Sequence, residues 1–188
     1  MAIPTVEELE KELKRIKYAE RYNKTLRSTI YILIIVAAVA VLVATIWMPV
    51  LRIYGTSMTP TLNEGETVIS LKGGSYEPGD LIAFYLGNKV LVKRYIAGPG
   101  QWVDMDQAGN VYVNNVLLEE EYLTEKALGE CSIEFPYQVP ENKMFVLGDH
   151  RSTSADSRHV SVGCVGKDQI VGKIVFRVWP LNTIGILK

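Results

Sequence analysis

"KVLVKRYIA", residues 89–97, mixes β-branched and aromatic residues with three cations. As a strand of period two it sets Lys89, Leu91, Lys93, Tyr95 and Ala97 on one face. Val90, Val92, Arg94 and Ile96 fall on the other. Lys89 abuts the Gly87-Asn88 turn and reaches water. Lys93 lies between Leu91 and Tyr95, in a strand that is apolar on both sides.

Similar segments surround it. "DLIAFYL", "NVYVNNVLL", "KMFVLGD" and "QIVGKIVFRVW" have strand composition. Turn signals separate them at Gly87-Asn88, Gly109-Asn110, Asn114-Asn115 and the "AGPG" of 97–100. "EEEYLTEKAL" reads as one or two helical turns. The expected fold class is mainly β, a barrel or sandwich type of domain, behind one N-terminal transmembrane helix.

That helix is announced by charge. No charged residue lies between Arg27 and Arg52, and the centre, Ile30 to Met48, would span ~28 Å as a helix, close to a hydrocarbon core. Trp47 takes an aromatic-belt position and Pro49 ends the helix. The apolar run is too long for a cleaved leader, and no small-x-small site follows it. Lys14, Arg15, Lys17, Arg21, Lys24 and Arg27 crowd the N-terminal flank against Arg52 on the other. The positive-inside rule therefore expects the N-terminus in the cytoplasm.

Three segments follow: 1–28, a cytoplasmic amphipathic segment; 29–48, the anchor; and 49–188, an extracytoplasmic β-rich domain. In the first, Thr5 and Glu8 form a capping box, and Val6, Leu9, Leu13 and Ile16 make an apolar stripe suited to the inner membrane face or to a partner helix.

Composition excludes other classes. A net charge of −1 over 188 residues offers no field for nucleic acid. Cys131 and Cys164 lack metal-ligand spacing, and no metal or other cofactor is expected. In an oxidising compartment a disulfide between them is allowed but not required.

The chemistry rests on three stretches. "YGTSMTPTL", 54–62, places Ser57 in a turn. A lysine in apolar surroundings loses the hydration that stabilises its charge. Lowering its pKa from ~10.4 to ~7–8 costs the charged form ~4 kcal/mol, which desolvation can supply. A neutral Lys93 amine can then take the proton of a serine nucleophile. The bland alternative is a lysine that snorkels to water. "GDHRSTSADSRHVSVG", 148–163, reads either as a solvated turn or as a charged loop that fixes a site, and spacing alone does not choose.

"GTSMTPTL", "LVKRYIAGPG" and "GDHRSTSADSR", in that order behind an anchor, resemble the bacterial type I signal peptidases of the Gram-positive-like branch, over most of the chain. The resemblance implies a membrane-bound serine endopeptidase that removes signal peptides from secretory preproteins, near the secretion translocon and against membrane lipid. It implies Ser57 as nucleophile, Lys93 as general base and Ser154 as the hydroxyl positioning the amine. Asp149, Asp156 and Arg158 would hold the site together. Leu51, Ile53, Met58, Leu91 and Val92 would line shallow pockets for small residues at −1 and −3 of the cleavage site.

Three positions depart from the pattern, one of them Gln101, which stands after "GPG" where an aspartate is common. Gly55 stands where several members carry an oxyanion-binding serine, and His150 replaces a common asparagine, which makes it an alternative base. Rival readings are a self-cleaving repressor-type protease, a specialised membrane protease maturing pilus or transfer proteins, and a catalytically inactive anchored β-domain that binds secreted proteins.

Overall fold

The structure, a computed structural model, describes residues 6–187. It falls into two units that divide between Ile46 and Trp47. The first is dominated by one α-helix, α1 (Val6–Trp47), 42 residues or about 63 Å long. Sequence patterning suggested an amphipathic segment and a separate span, whereas the backbone is one uninterrupted helix. None of its residues is buried, and it is long and apolar enough to cross a membrane. The expected cap at Thr5 lies outside the described residues.

The second unit is antiparallel throughout. Its strands are β1 (Val50–Arg52), β2 (Thr67–Leu71), β3 (Leu81–Leu86), β4 (Lys89–Ala97), β5 (Trp102–Met105) and β6 (Val111–Val113). They continue with β7 (Val116–Leu117), β8 (Tyr137–Gln138), β9 (Lys143–Leu147), β10 (Val165–Gly166), β11 (Ile170–Trp179) and β12 (Gly185–Ile186). The larger sheet runs β1-β2-β11-β3-β4-β9-β10, with β12 on β11. A smaller sheet runs β7-β6-β5-β8.

All five strand-like segments read from sequence contain strands, and β4 has the predicted bounds. The Asn114-Asn115 turn joins β6 to β7 with φ of 51° and 66°, a left-handed pair that asparagine tolerates. The "EEEYLTEKAL" stretch forms no helix: residues 119–128 are irregular. Cys131 and Cys164 are free thiols rather than a disulfide.

Period-two alternation explains how one sheet serves several cores. In β3, Leu81 and Ala83 enter a cluster with Ile53, Met58, Leu62, Val68 and Ile174. Ile82 and Phe84 point the other way, into a cluster with Tyr95, Met144 and Val146. In β9, Phe145 and Leu147 turn from that second cluster to a third, shared with Val103 and Val111 of the smaller sheet. Strands covered on both faces read as continuous apolar runs, which is why "LIAF" and "MFVL" lack polar alternation.

Leu62 is fully buried, and its N–H bonds the Met58 carbonyl at 2.8 Å, tying the Ser57 turn to the first cluster. Leu62→Ala is expected to lower stability by about 2–5 kcal/mol in chemical denaturation of the detergent-solubilised protein. Leu117→Ala, on the exposed β7, should change it by less than about 0.5 kcal/mol.

Candidate active site

Ser57 occupies a tight turn after β1. The turn is closed by Thr59 N–H to the Thr56 carbonyl at 3.1 Å and by the Thr59 hydroxyl to the same oxygen at 2.8 Å. Gly55 enters it with φ of +79°, a conformation that an L side chain resists, although nothing lies within 4 Å of where a Cβ would be. Backbone conformation, not crowding, therefore disfavours a side chain at this position. Met58 and Leu62 anchor the far end in the core.

Lys93 lies in β4 opposite Ile82 of β3 and is 3% exposed. Its Nζ donates to Ser154 Oγ at 3.0 Å. Burial lowers the amine from its ordinary 10.5 to about 8; Asp156 pulls it back up, Arg158 pushes it down and Asp149 pulls it up. The sequence reading placed this lysine in a desolvated strand, and the structure keeps it there instead of letting it snorkel.

Gly148 is where the pieces converge. A Cβ there would overlap the Ser154 hydroxyl and lie 2.6 Å from the Ser57 carbonyl oxygen. The Ser57 turn and the 148–158 loop thus meet over a position that admits no side chain. The contact is secured by His150 N–H to the Ser57 carbonyl at 3.1 Å and by the Thr61 hydroxyl to Asp149 Oδ2 at 2.5 Å. No hydrogen bond joins Ser57 Oγ to the Lys93 amine, whose partner is Ser154. Such contacts often tighten only when substrate is bound.

The charged residues of the loop are buried and paired. Asp149 receives Arg94 Nε at 2.9 Å and Nη2 at 2.6 Å. Asp156 receives Arg158 Nε and Nη2, both at 2.8 Å, and the Gly148 N–H at 3.0 Å. Arg151 donates Nε to the Gly148 carbonyl at 3.1 Å and forks onto Glu120. The solvated-turn alternative for 148–163 does not hold for these side chains. His150 faces elsewhere, with Nδ1 2.7 Å from Thr153 Oγ1.

Beside Ser57 runs a small groove of about 80 Å³, lined by Leu51–Gly55, Ser57, Met58 and Val90–Val92. All five residues expected in the pockets, Leu51, Ile53, Met58, Leu91 and Val92, contribute to its wall. Arg52, Tyr54 and Val90 join them without having been anticipated. On the groove side, β4 pairs with β9 only over Arg94–Ala97, so its edge from Lys89 to Lys93 has no strand partner among the described residues.

Sequence reasoning gave no role to Arg94, Thr61, Glu120 or Tyr122. Arg94 did carry a signal: a second cation in an apolar strand requires a buried carboxylate.

Lys93 has a lower pKa folded than unfolded, so between about 8 and 10.5 the unfolded chain binds more protons and stability rises with pH. Below that window the burial costs about 3 kcal/mol in full. Lys93→Met is therefore expected to stabilise the protein at pH 7, by about 1–3 kcal/mol once the lost Ser154 bond is counted. The gain should shrink toward pH 10. A destabilised variant at pH 7 in urea titrations would contradict a desolvated lysine.

The chain matches the family model described as signal peptidase, peptidase S26, over residues 26–179. It is 34% identical over 165 residues to signal peptidase I of Bacillus licheniformis, covering 81% of this chain and 88% of that one. Signal peptidase IB of Staphylococcus aureus is 37% identical over 150 residues, 69% of this chain and 77% of that one. The chloroplastic thylakoidal processing peptidase 1 of Arabidopsis thaliana is 34% identical over 146 residues. That match covers 69% of this chain but only 41% of the longer plant protein.

Proposed function

This chain belongs to the signal peptidase family, the serine endopeptidases that remove signal peptides from preproteins, and from that premise we propose that Ser57 and Lys93 form its catalytic dyad. The observation that carries the proposal is a buried amine at about 8, held by Ser154, whose hydroxyl and the Ser57 carbonyl meet over Gly148.

The neutral amine takes the Ser57 proton as Oγ attacks the scissile carbonyl. The oxyanion develops beside the Ser57 N–H. The left-handed backbone at Gly55, which an L side chain resists, favours main-chain donors there over a side-chain hydroxyl. Lysine then returns the proton to the leaving amine and later activates the hydrolytic water. Ser154 holds the amine, while Asp149, Asp156 and Arg158 keep the loop in register.

The substrate lies extended, pairing with the free edge of β4 at Lys89–Lys93. Its small side chains at −1 and −3 enter the groove formed by Leu51, Ile53, Met58, Leu91 and Val92. A shallow groove walled by these residues rejects bulk by steric overlap.

The helix anchors the protein, residues 1–28 lie on the cytoplasmic side, 29–48 span the membrane, and 49–188 work outside, near the translocon that delivers preproteins. The basic flank before the span supports this orientation. Contact of the catalytic domain with lipid is supported by an apolar row across four strands. Val50, Ile69, Phe176 and Ile186 are cross-strand neighbours, with both end residues exposed and with Trp179, Leu181 and Ile184 exposed at the adjoining chain end.

The test is cleavage of a preprotein with alanine at −1 and −3 by detergent-solubilised enzyme. Ser57→Ala and Lys93→Ala should each lower kcat by about 10³-fold or more, with His150→Ala within a few-fold of wild type. Since only the neutral amine is a base, kcat/KM should climb with pH and level off above about 8. Activity that survives Lys93→Ala but not His150→Ala would overturn the dyad. A wild type that binds the preprotein without cutting it would favour the inactive binding domain.

A further inference from the structure

Residues 119–128, the irregular segment that sequence reading took for one or two helical turns, bind Arg151, Arg158 and Arg94. Glu120 is 6% exposed, although it sits in a chain segment with no regular structure. Its carboxylate accepts both arms of the Arg151 fork, one at 3.0 Å, and the Tyr122 hydroxyl at 2.7 Å. The Tyr122 ring lies 3.7 Å from the Arg94 guanidinium carbon, in cation–π contact. Further along, the Leu128 carbonyl accepts Arg158 Nη1 at 2.5 Å.

These contacts reach the dyad by short steps. Arg151 holds the Gly148 carbonyl at 3.1 Å, and its own carbonyl accepts Arg158 Nη2 at 3.0 Å. Gly148 is the residue against whose bare Cα the Ser154 hydroxyl rests, and Ser154 holds the Lys93 amine. Charge leads to the same residue. Arg94, Arg151 and Arg158 are buried with Asp149, Asp156 and Glu120, so the cluster balances when Lys93 is neutral. Without Glu120, Arg151 is a buried cation with no carboxylate, which is strongly disfavoured unless the loop moves.

We propose that Glu120, with Tyr122, is a positioning residue for the signal peptidase reaction: a clasp that fixes Arg151, and through Gly148 and Ser154 aims the Lys93 amine. The inference rests on the Ser57–Lys93 reading. It predicts that loss of the clasp is felt in the chemical step and only while Ser154 is present to transmit it.

The experiment is a double-mutant cycle on the full-length, detergent-solubilised enzyme, following preprotein cleavage. Glu120→Gln keeps the shape and removes the charge. It should lower kcat by at least about tenfold with KM within about twofold, because sub-ångström misplacement of a base is costly. In a Ser154→Ala background the same change should cost less than about twofold, since the transmitting hydroxyl is gone. Equal factors in both backgrounds, a change confined to KM, or an unchanged kcat would each overturn the proposal. If Glu120→Gln fails to fold, Tyr122→Phe replaces it in the cycle. That variant removes one hydroxyl from Glu120 and keeps the ring on Arg94; a kcat loss that vanishes with Ser154→Ala is again expected. Ser57→Ala and Lys93→Ala run alongside. If either retains wild-type activity, the dyad and the clasp fall together, whereas an inactive pair with additive Glu120 effects removes the clasp alone.

Discussion

An amine that is 3% exposed cannot keep its proton cheaply, and it will keep it anyway if a free carboxylate lies close by. The region around Lys93 is arranged to prevent that. Asp149 and Asp156 both pull the amine toward the charged form, yet each carboxylate is engaged by an arginine through two nitrogens. With the acidic groups so occupied, the amine is left a hydroxyl, Ser154, as its partner. Packing serves the same end. Lys93 pairs with Ile82 of β3, and the 148–158 loop reaches its amine through Ser154, so the amine is kept from solvent.

Gly148 shows how little slack the arrangement contains. Ser154, the Ser57 carbonyl, the Arg151 guanidinium and Asp156 all meet the main chain of this residue. Two loops distant in sequence share one contact point, and a single methyl would separate them. Interiors are close-packed, so a displacement at this point is passed on rather than absorbed.

The strands and the apolar helix could be read from the chain because each depends on local pattern, and the burial of Lys93 was one of two readings that pattern allowed. "KVLVKRYIA" has strand composition, "IYILIIVAAVAVLVATIWM" is uncharged, and a lysine between Leu91 and Tyr95 either snorkels or is buried, of which the structure shows burial. Ser154 came from family resemblance alone, since one hydroxyl in a loop of hydroxyls carries no distinguishing spacing. Glu120 and Tyr122 could not be read: their partners Arg151 and Arg94 lie 31 and 28 residues away, and "EEEYLTEKAL" has the composition of a helix. Tertiary pairing overrode propensity there, because a side chain used to neutralise a buried arginine must follow that arginine. Cysteine pairing had no local signature either, and the two thiols remain free.

Burial of Lys93 also has a consequence in time. In an unfolded chain that lysine has its ordinary affinity for protons and is charged at neutral pH, so the proposed dyad would lack a base. The desolvated amine comes into being only when β3, β4 and β9 have paired and the 148–158 loop has closed over Gly148, contacts that join residues 55 and 61 apart in sequence. Such long-range closure is among the later events of folding. On the proposed dyad, proteolytic chemistry would thus await the folding of the site. What folding adds, on that proposal, is the exclusion of water from one amine.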